Sequence, residues 1–152
     1  MGDMGDWTVD QGRASDLEES WLAEDQEAWE KRSILFLDDC PTRCHWAQKH
    51  LKPYGRFTAS RTAANCILWI GQRAHDEVYL DHDLDGEAWA NPHGKNTGFE
   101  VVRWIVLNKP EIGKIIVHSM NTPQGNRMAK ALRRHGYDAE YRSWMTIVGE
   151  AD

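Results

Sequence analysis

The chain has 152 residues, the usual size of one domain, and its 24 acidic and 18 basic side chains give a formal net charge of −6. The charge is uneven, because residues 1–32 hold ten acidic and three basic side chains, whereas residues 33–152 hold fourteen and fifteen. A nearly neutral body argues against a general duplex-DNA binder, which needs a basic face. No apolar run approaches the roughly 20 residues that cross a bilayer, so no membrane span is predicted.

The three cysteines, Cys40, Cys44 and Cys66, lack the paired spacing of a zinc site. The chain does not open with a basic segment followed by an apolar one, as a secretory signal would. Together these features predict a reducing, cytoplasmic setting.

The N-terminal region divides into two segments. Residues 1–15 have no periodicity and are predicted to form a disordered tail. Residues 16–32 are strong helix formers with Leu17 and Trp21 on one stripe and Leu22 and Trp29 on the next, which predicts an acidic amphipathic helix. This helix could cover one face of the domain or bind a protein partner.

Residues 33–152 alternate strand and helix patterns. The predicted strands are an apolar run at 33–39 that ends in two carboxylates, and the segments 57–60, 77–80, 114–119 and 137–142. The predicted helices are 41–51, one from about 63 with Ser60 or Thr62 as its cap, one led by the capping box of Thr97 and Glu100, and one at about 124–135. Trp144 to Val148 looks more like a strand than a helix, so no normal fifth helix is expected.

Alternating strands and helices predict a doubly wound α/β domain with a parallel sheet of order 2-1-3-4-5. Ligands bind such sheets beyond the carboxyl ends of the strands, near the point where the strand order reverses. Two clusters of polar residues, Asp38 with Asp39 and Asp81 with His82 and Asp83, follow predicted strands 1 and 3. His118 and Ser119 arrive at the same edge from strand 4.

The motifs at this edge resemble those of a receiver domain, the phosphoacceptor module of two-component signalling. ILFLDD resembles the first strand with its acidic pair, VYLDHDLDG the third strand with its acceptor, and IIVHS the fourth strand with its hydroxyl residue. The resemblance implies that Asp38 and Asp39 bind Mg²⁺ together with Asp81, that Asp81 is the acceptor, and that Ser119 binds phosphate. Arg142 stands where a signalling receiver has a Lys, which argues against the usual phosphoswitch.

LDHDL at residues 80–84, the Thr97-Gly98 pair and VHS at residues 117–119 are similar to a divergent branch, the cyclic-phosphate-processing receiver-like family. That resemblance implies activity on a cyclic phosphate of a nucleotide or an RNA end, with His82 and His118 central. An imidazole pair can supply the base that activates water and the acid that protonates the leaving alkoxide.

The site prediction therefore names His82, His118 and Asp81 as catalytic, and Ser119, Arg142 and Asp83 as substrate-binding. Asp81 or Asp83 could orient His82. A cluster of carboxylates favours a hard divalent cation, Mg²⁺ or Mn²⁺, at Asp38, Asp39 and Asp81. The expected partner is a small phosphorylated ligand.

Each of these residues also has a purely structural interpretation. Asp39 could cap the following helix while Asp38 accepts backbone hydrogen bonds, and each histidine could be a satisfied structural group. The basic face formed by Arg127, Lys130, Arg133 and Arg134 could be solvated or could contact a nucleotide, and Trp89 could stack on a base. The alternative function is a non-catalytic pseudo-receiver that binds a partner protein.

Overall fold

The computed structural model describes residues 32–51, 56–84 and 93–151. The predicted tail at 1–15, the predicted helix at 16–32 apart from Arg32, and Trp89 lie outside the described residues. Among the helices that are described, none is long and apolar enough to span a membrane.

Strands and helices alternate along the described chain. The strands are β1 (Ser33–Leu37), β2 (Arg56–Ser60), β3 (His75–Leu80), β4 (Ile112–Val117) and β5 (Ala139–Tyr141). The helices are α1 (Pro41–Leu51), α2 (Ala63–Gln72), α3 (Gly98–Asn108), α4 (Thr122–Arg134) and α5 (Trp144–Ala151). The strands pair in parallel in the order β2-β1-β3-β4-β5, which confirms the predicted receiver-like, doubly wound fold.

Helices cover both faces of the sheet, and the alternation of side chains along each strand supplies a core to each face. One core contains alternate strand residues such as Leu37, Leu80 and Val117 and packs against α2, α3 and α4. The other contains Phe36 and neighbouring strand residues and packs against α1 and α5. We call these the α3 face and the α1 face. Each fully buried Leu or Phe side chain contributes about 1.5–3 kcal/mol.

Side-chain caps determine where the helices begin. Thr62 accepts a hydrogen bond from Asn65 N–H at 3.1 Å at the start of α2, so Thr62 rather than Ser60 is the cap. Thr97 Oγ1 accepts from Glu100 N–H at 3.3 Å at the start of α3. Helix α4 starts two residues earlier than predicted, because Asn121 caps it.

The prediction that residues 144–148 resemble a strand is wrong, since Trp144–Ala151 form the helix α5. The Ser143 hydroxyl accepts a hydrogen bond from Thr146 N–H at 3.2 Å and caps the first turn. Trp144 and Ile147 then lie three residues apart and both pack on the α1 face. This cap and this packing outweigh the strand propensity of Ile and Val. The α1 face is thus covered by α5 as well as α1.

Candidate functional site

The site is a row of side chains placed one residue beyond the carboxyl ends of four strands. Asp38, Asp81, His118 and Arg142 follow β1, β3, β4 and β5 directly. Their backbone N–H groups continue the sheet ladder at 2.8–3.1 Å by donating to Ser60, Leu37, Leu80 and Val117 respectively. The row therefore keeps the register of the strands, and its side chains project toward the α1 face. The next positions, which include His82 and Ser119, project toward the α3 face.

Three carboxylates cluster here, Asp38 and Asp81 from the row and Asp39 from the position after Asp38. One ligand oxygen each from Asp38, Asp39 and Asp81 lies within 4.8 Å of the others. Asp38 and Asp81 are buried, and Asp39 is half-buried. Burial, and next the charge of Asp38, raise the pKa of Asp81 to about 8 although Arg43 opposes the change. Carboxylate oxygens at this spacing are the ligands that Mg²⁺ and Mn²⁺ prefer.

Arg43, from the first turn of α1, neutralises part of this cluster. Its guanidinium makes a bidentate contact with Asp38, with Nε 2.7 Å from Oδ2 and Nη2 3.0 Å from Oδ1. The same Nη2 lies 3.6 Å from Asp81 Oδ2. Asp38 Oδ1 also accepts a hydrogen bond from Cys40 N–H at 2.8 Å. Both oxygens of Asp38 are thus engaged by the protein.

His118 occupies the α1 face beside Asp38. Its ring stacks on Phe36, with centroids 4.8 Å apart and planes at 9°, and its Nδ1 lies 3.7 Å from Asp38 Oδ2. Within the described part of the chain, neither ring nitrogen has a hydrogen-bond partner. Burial lowers the pKa of His118 to about 4 despite the attraction of Asp38. The imidazole is therefore neutral near pH 7.

His82 lies on the α3 face, where its ring meets the Phe99 ring edge-on. Its Nδ1 lies 2.8 Å from Asp83 Oδ1, and Asn121 Nδ2 donates to the same oxygen at 3.5 Å. An ionised carboxylate only accepts hydrogen bonds, so this contact assigns a proton to Nδ1. His82 Nε2 is buried and has no partner among the residues described.

Two further residues lie at the same edge. Ser119 is buried, its hydroxyl oxygen accepts from Asn121 N–H at 3.0 Å, and its carbonyl accepts from the Tyr141 hydroxyl at 2.6 Å. Arg142 forms an ion pair with Glu140, which also pairs with Lys114 at 3.1 Å. Ser119 is therefore fixed within the loop that follows β4, and Arg142 has an acidic partner on its own strand.

Comparison with known proteins identifies the family. The model of the cyclic-phosphate processing receiver domain matches residues 33–134. The chain belongs to this family. No curated protein matches the sequence.

Solved receiver domains share the fold at low sequence identity. The chemotaxis protein CheY4 of Vibrio cholerae is 14% identical with a TM-score of 0.57, over 78% of this chain and 94% of that one. The response regulator TrrA of Thermotoga maritima, solved with Mg²⁺ and BeF, is 17% identical with a TM-score of 0.54, over 80% and 99%. A Francisella response regulator receiver domain is 13% identical with a TM-score of 0.57, over 78% and 88%.

The structure places all the predicted site residues at one edge of the sheet but divides them between its two faces. Asp38, Asp39 and Asp81 cluster, His118 joins Asp38, and His82 pairs with Asp83 rather than Asp81. Arg43 and Asn121 also contact the site, through Asp38 and Asp83, and neither was among the residues predicted from the sequence. A signal for Arg43 exists, because a cation in the first turn of a helix opposes the helix dipole unless an acid lies nearby.

Proposed function

We propose that this protein hydrolyses a cyclic phosphodiester, carried by a nucleotide or an RNA end, at the carboxyl edge of its sheet. The observation that carries the proposal is the pair of buried imidazoles on opposite faces of that edge. Within the described chain, His82 Nε2 and both nitrogens of His118 have no hydrogen-bond partner. A buried polar atom without a partner costs about 1–3 kcal/mol, a cost that a substrate's oxygens would remove.

The sidedness of the pair suits the reaction. In the displacement at phosphorus, attacking and leaving oxygens are roughly in line on opposite sides of the phosphorus. A phosphate over the edge between Asp81 and Ser119 would have His118 on its α1 side and His82 on its α3 side. The two histidines would then lie on opposite sides of the phosphorus, as in-line displacement requires.

We assign the two proton transfers from the surroundings of each ring. His118 is held neutral by burial and can accept a proton from the attacking water. As the new P–O bond forms, the P–O bond to the ring oxygen breaks, and His82, protonated on both ring nitrogens in this step, delivers the Nε2 proton to the departing alkoxide. Asp83 positions His82 through Nδ1. The product is a phosphate monoester with one free hydroxyl. Water supplies the new oxygen on phosphorus, and the proton that His118 takes from this water balances the one that His82 gives to the alkoxide.

Asp38, Asp39 and Asp81 fit a divalent cation, because their oxygens lie within 4.8 Å of one another and all three ligands are hard. A bound Mg²⁺ or Mn²⁺ would supply positive charge for the phosphate oxygens. In this proposal the Ser119 hydroxyl binds a phosphate oxygen as a neutral group, and the Arg142 guanidinium binds one as a cation.

The test is hydrolysis of 2′,3′- and 3′,5′-cyclic nucleotides, with EDTA, Mg²⁺ or Mn²⁺. His82→Ala and His118→Ala are each expected to lower kcat by about 10²-fold or more, with a double variant that loses less than the product of the two. His75→Ala is the matched control, since this buried histidine begins β3 at the opposite edge of the sheet. Full turnover in both site variants, or no turnover by the wild type in any condition, contradicts the proposal.

One observation favours a second function, a non-catalytic pseudo-receiver that binds a partner protein. Arg43 and Cys40 N–H already satisfy both oxygens of Asp38, so the buried charge is compensated without a ligand. A pseudo-receiver would bind neither a cation nor a phosphate at this edge, which calorimetry with Mg²⁺ and with a cyclic nucleotide distinguishes.

A further inference from the structure

Arg43 and a divalent cation need the same oxygens. The guanidinium contacts Asp38 Oδ2 at 2.7 Å and Oδ1 at 3.0 Å, and it reaches toward Asp81 Oδ2 at 3.6 Å. Two of the three carboxylates that fit a cation are thus held by one cationic side chain. A magnesium ion binds its oxygen ligands at about 2.0–2.1 Å in near-octahedral geometry, so it would compete with the bidentate guanidinium for the oxygens of the same carboxylate.

Asp38 itself cannot turn away to serve both cations. It is buried, its Oδ1 is held by Cys40 N–H at 2.8 Å, and its Oδ2 faces His118 Nδ1 at 3.7 Å. Neither nitrogen of that buried ring has a partner within the described residues, which independently indicates that a ligand completes this edge. Arg43, in contrast, is about one quarter exposed and lies on a long side chain at the start of α1. Of the two groups, only Arg43 is free to move.

We propose that Arg43 is the resident cation of the carboxylate cluster and that a divalent cation displaces it, which releases the guanidinium to bind a phosphate. A guanidinium suits this second role because its planar donors match two phosphate oxygens at once. The site would therefore bind an anion only after the cation has entered. This inference rests on the proposed function, because it concerns the ligands of the same edge.

Displacement makes a specific prediction for Arg43→Gln. Removal of the competing charge should tighten Mg²⁺ binding by about tenfold or more, since a charge-assisted hydrogen bond to a carboxylate no longer has to be broken. The same substitution should weaken the binding of inorganic phosphate at saturating Mg²⁺ by about tenfold or more. A residue with a merely structural role would not move two affinities in opposite directions.

The experiment uses the full chain and isothermal titration calorimetry, first with Mg²⁺ alone and then with inorganic phosphate at saturating Mg²⁺. Arg73→Gln is the matched control, because it removes one positive charge at the far end of the sheet, between α2 and β3. Both of its affinities should equal those of the wild type. Should Arg43→Gln fail to fold, Arg43→Lys serves instead, since a single ammonium cannot hold both oxygens of Asp38 and should show the same two changes at smaller size.

The two proposals fail separately. If wild-type protein binds no Mg²⁺, or if Arg43→Gln binds Mg²⁺ no more tightly or phosphate no more weakly than wild type, displacement is refuted, whatever the hydrolysis assay shows. If both affinities change in opposite directions but no cyclic phosphate is hydrolysed, the displacement stands and the proposed hydrolysis fails.

Discussion

The Asp81 carboxyl should destabilise the cation-free domain, and Asp81→Asn tests this. The Asp81 side chain is 5% exposed, and its pKa of about 8 lies far above the ordinary value of 3.8. The main cause is burial, followed by repulsion from Asp38. Below pH 3.8 both the folded and the unfolded chain hold this proton. Between pH 3.8 and 8 only the folded chain holds it, so stability falls as pH rises and levels off above pH 8.

The pKa difference sets the size of the effect. At about 1.4 kcal/mol per pKa unit, the cost of holding Asp81 ionised above pH 8 has an upper limit of about 6 kcal/mol. Local relaxation and water reduce such limits, so we expect Asp81→Asn to raise the free energy of unfolding by about 2–4 kcal/mol at pH 9. The gain at pH 6 should be smaller.

The assay is urea unfolding in EDTA at pH 6 and pH 9, followed by tryptophan fluorescence. Asp138→Asn is the control, because that exposed carboxyl directly before β5 should change stability by less than about 0.5 kcal/mol. A destabilised Asp81→Asn protein, or a gain that is equal at both pH values, would refute the electrostatic reasoning. Mg²⁺ should stabilise the wild type, because a ligand stabilises the folded state that binds it. It should leave Asp81→Asn nearly unchanged, because this variant has lost one of the three carboxylate ligands.

Three further predictions concern stability. Gly125→Ala should lower the free energy of unfolding by about 1–3 kcal/mol in thermal unfolding, because a Cβ there would lie 2.6 Å from the Tyr141 ring. Gly149→Ala is the control and should not lower it, because a Cβ there would have no atom within 4 Å. As the pH falls from 6.5 to 4, His118→Phe should lose less stability than the wild type. In the wild type the unfolded chain takes up a proton on His118 in this range, whereas the folded ring, with its pKa near 4, does not. An equal loss in the free energy of unfolding for both proteins between pH 7 and 4.5, measured with urea, would contradict this. Ser143→Ala should lower the free energy of unfolding by about 1 kcal/mol through the lost α5 cap, and an unchanged melting temperature would argue against that cap.

The sequence predicted the sheet and the position of the site because both follow from local patterns. Continuous apolar runs mark buried parallel strands, and a polar residue directly after such a run lies at the carboxyl edge. Asp38, Asp81 and His118 were placed correctly for this reason. The alternation of side chains could also have shown that Asp81 points away from His82. It would have placed Asp83 on the same side as Asp81, and Asp83 reaches His82 Nδ1 because the chain has left the strand after Leu80.

Other features depend on contacts that no short pattern contains. Arg43 reaches the cluster only because a long side chain on α1 bends back over the loop from β1, and the sequence between them allows other conformations. Helix α5 was missed because its Ile and Val favour strands, while the decisive factors were a Ser143 cap and a place for Trp144 beside Phe36. Tertiary packing settled both features.

The register between β3 and β4 decides whether the two histidines can act on one phosphate from opposite sides. Leu80 pairs with Val117, so Asp81 lies beside His118 and His82 lies beside Ser119. His82 follows Leu80 by two residues, whereas His118 follows Val117 by one. The two rings therefore point to opposite faces of the sheet. A shift of one residue in either motif would bring both rings to the same face. In-line chemistry needs the offset that these two motifs have, whereas a role for each histidine in packing alone would accept either arrangement.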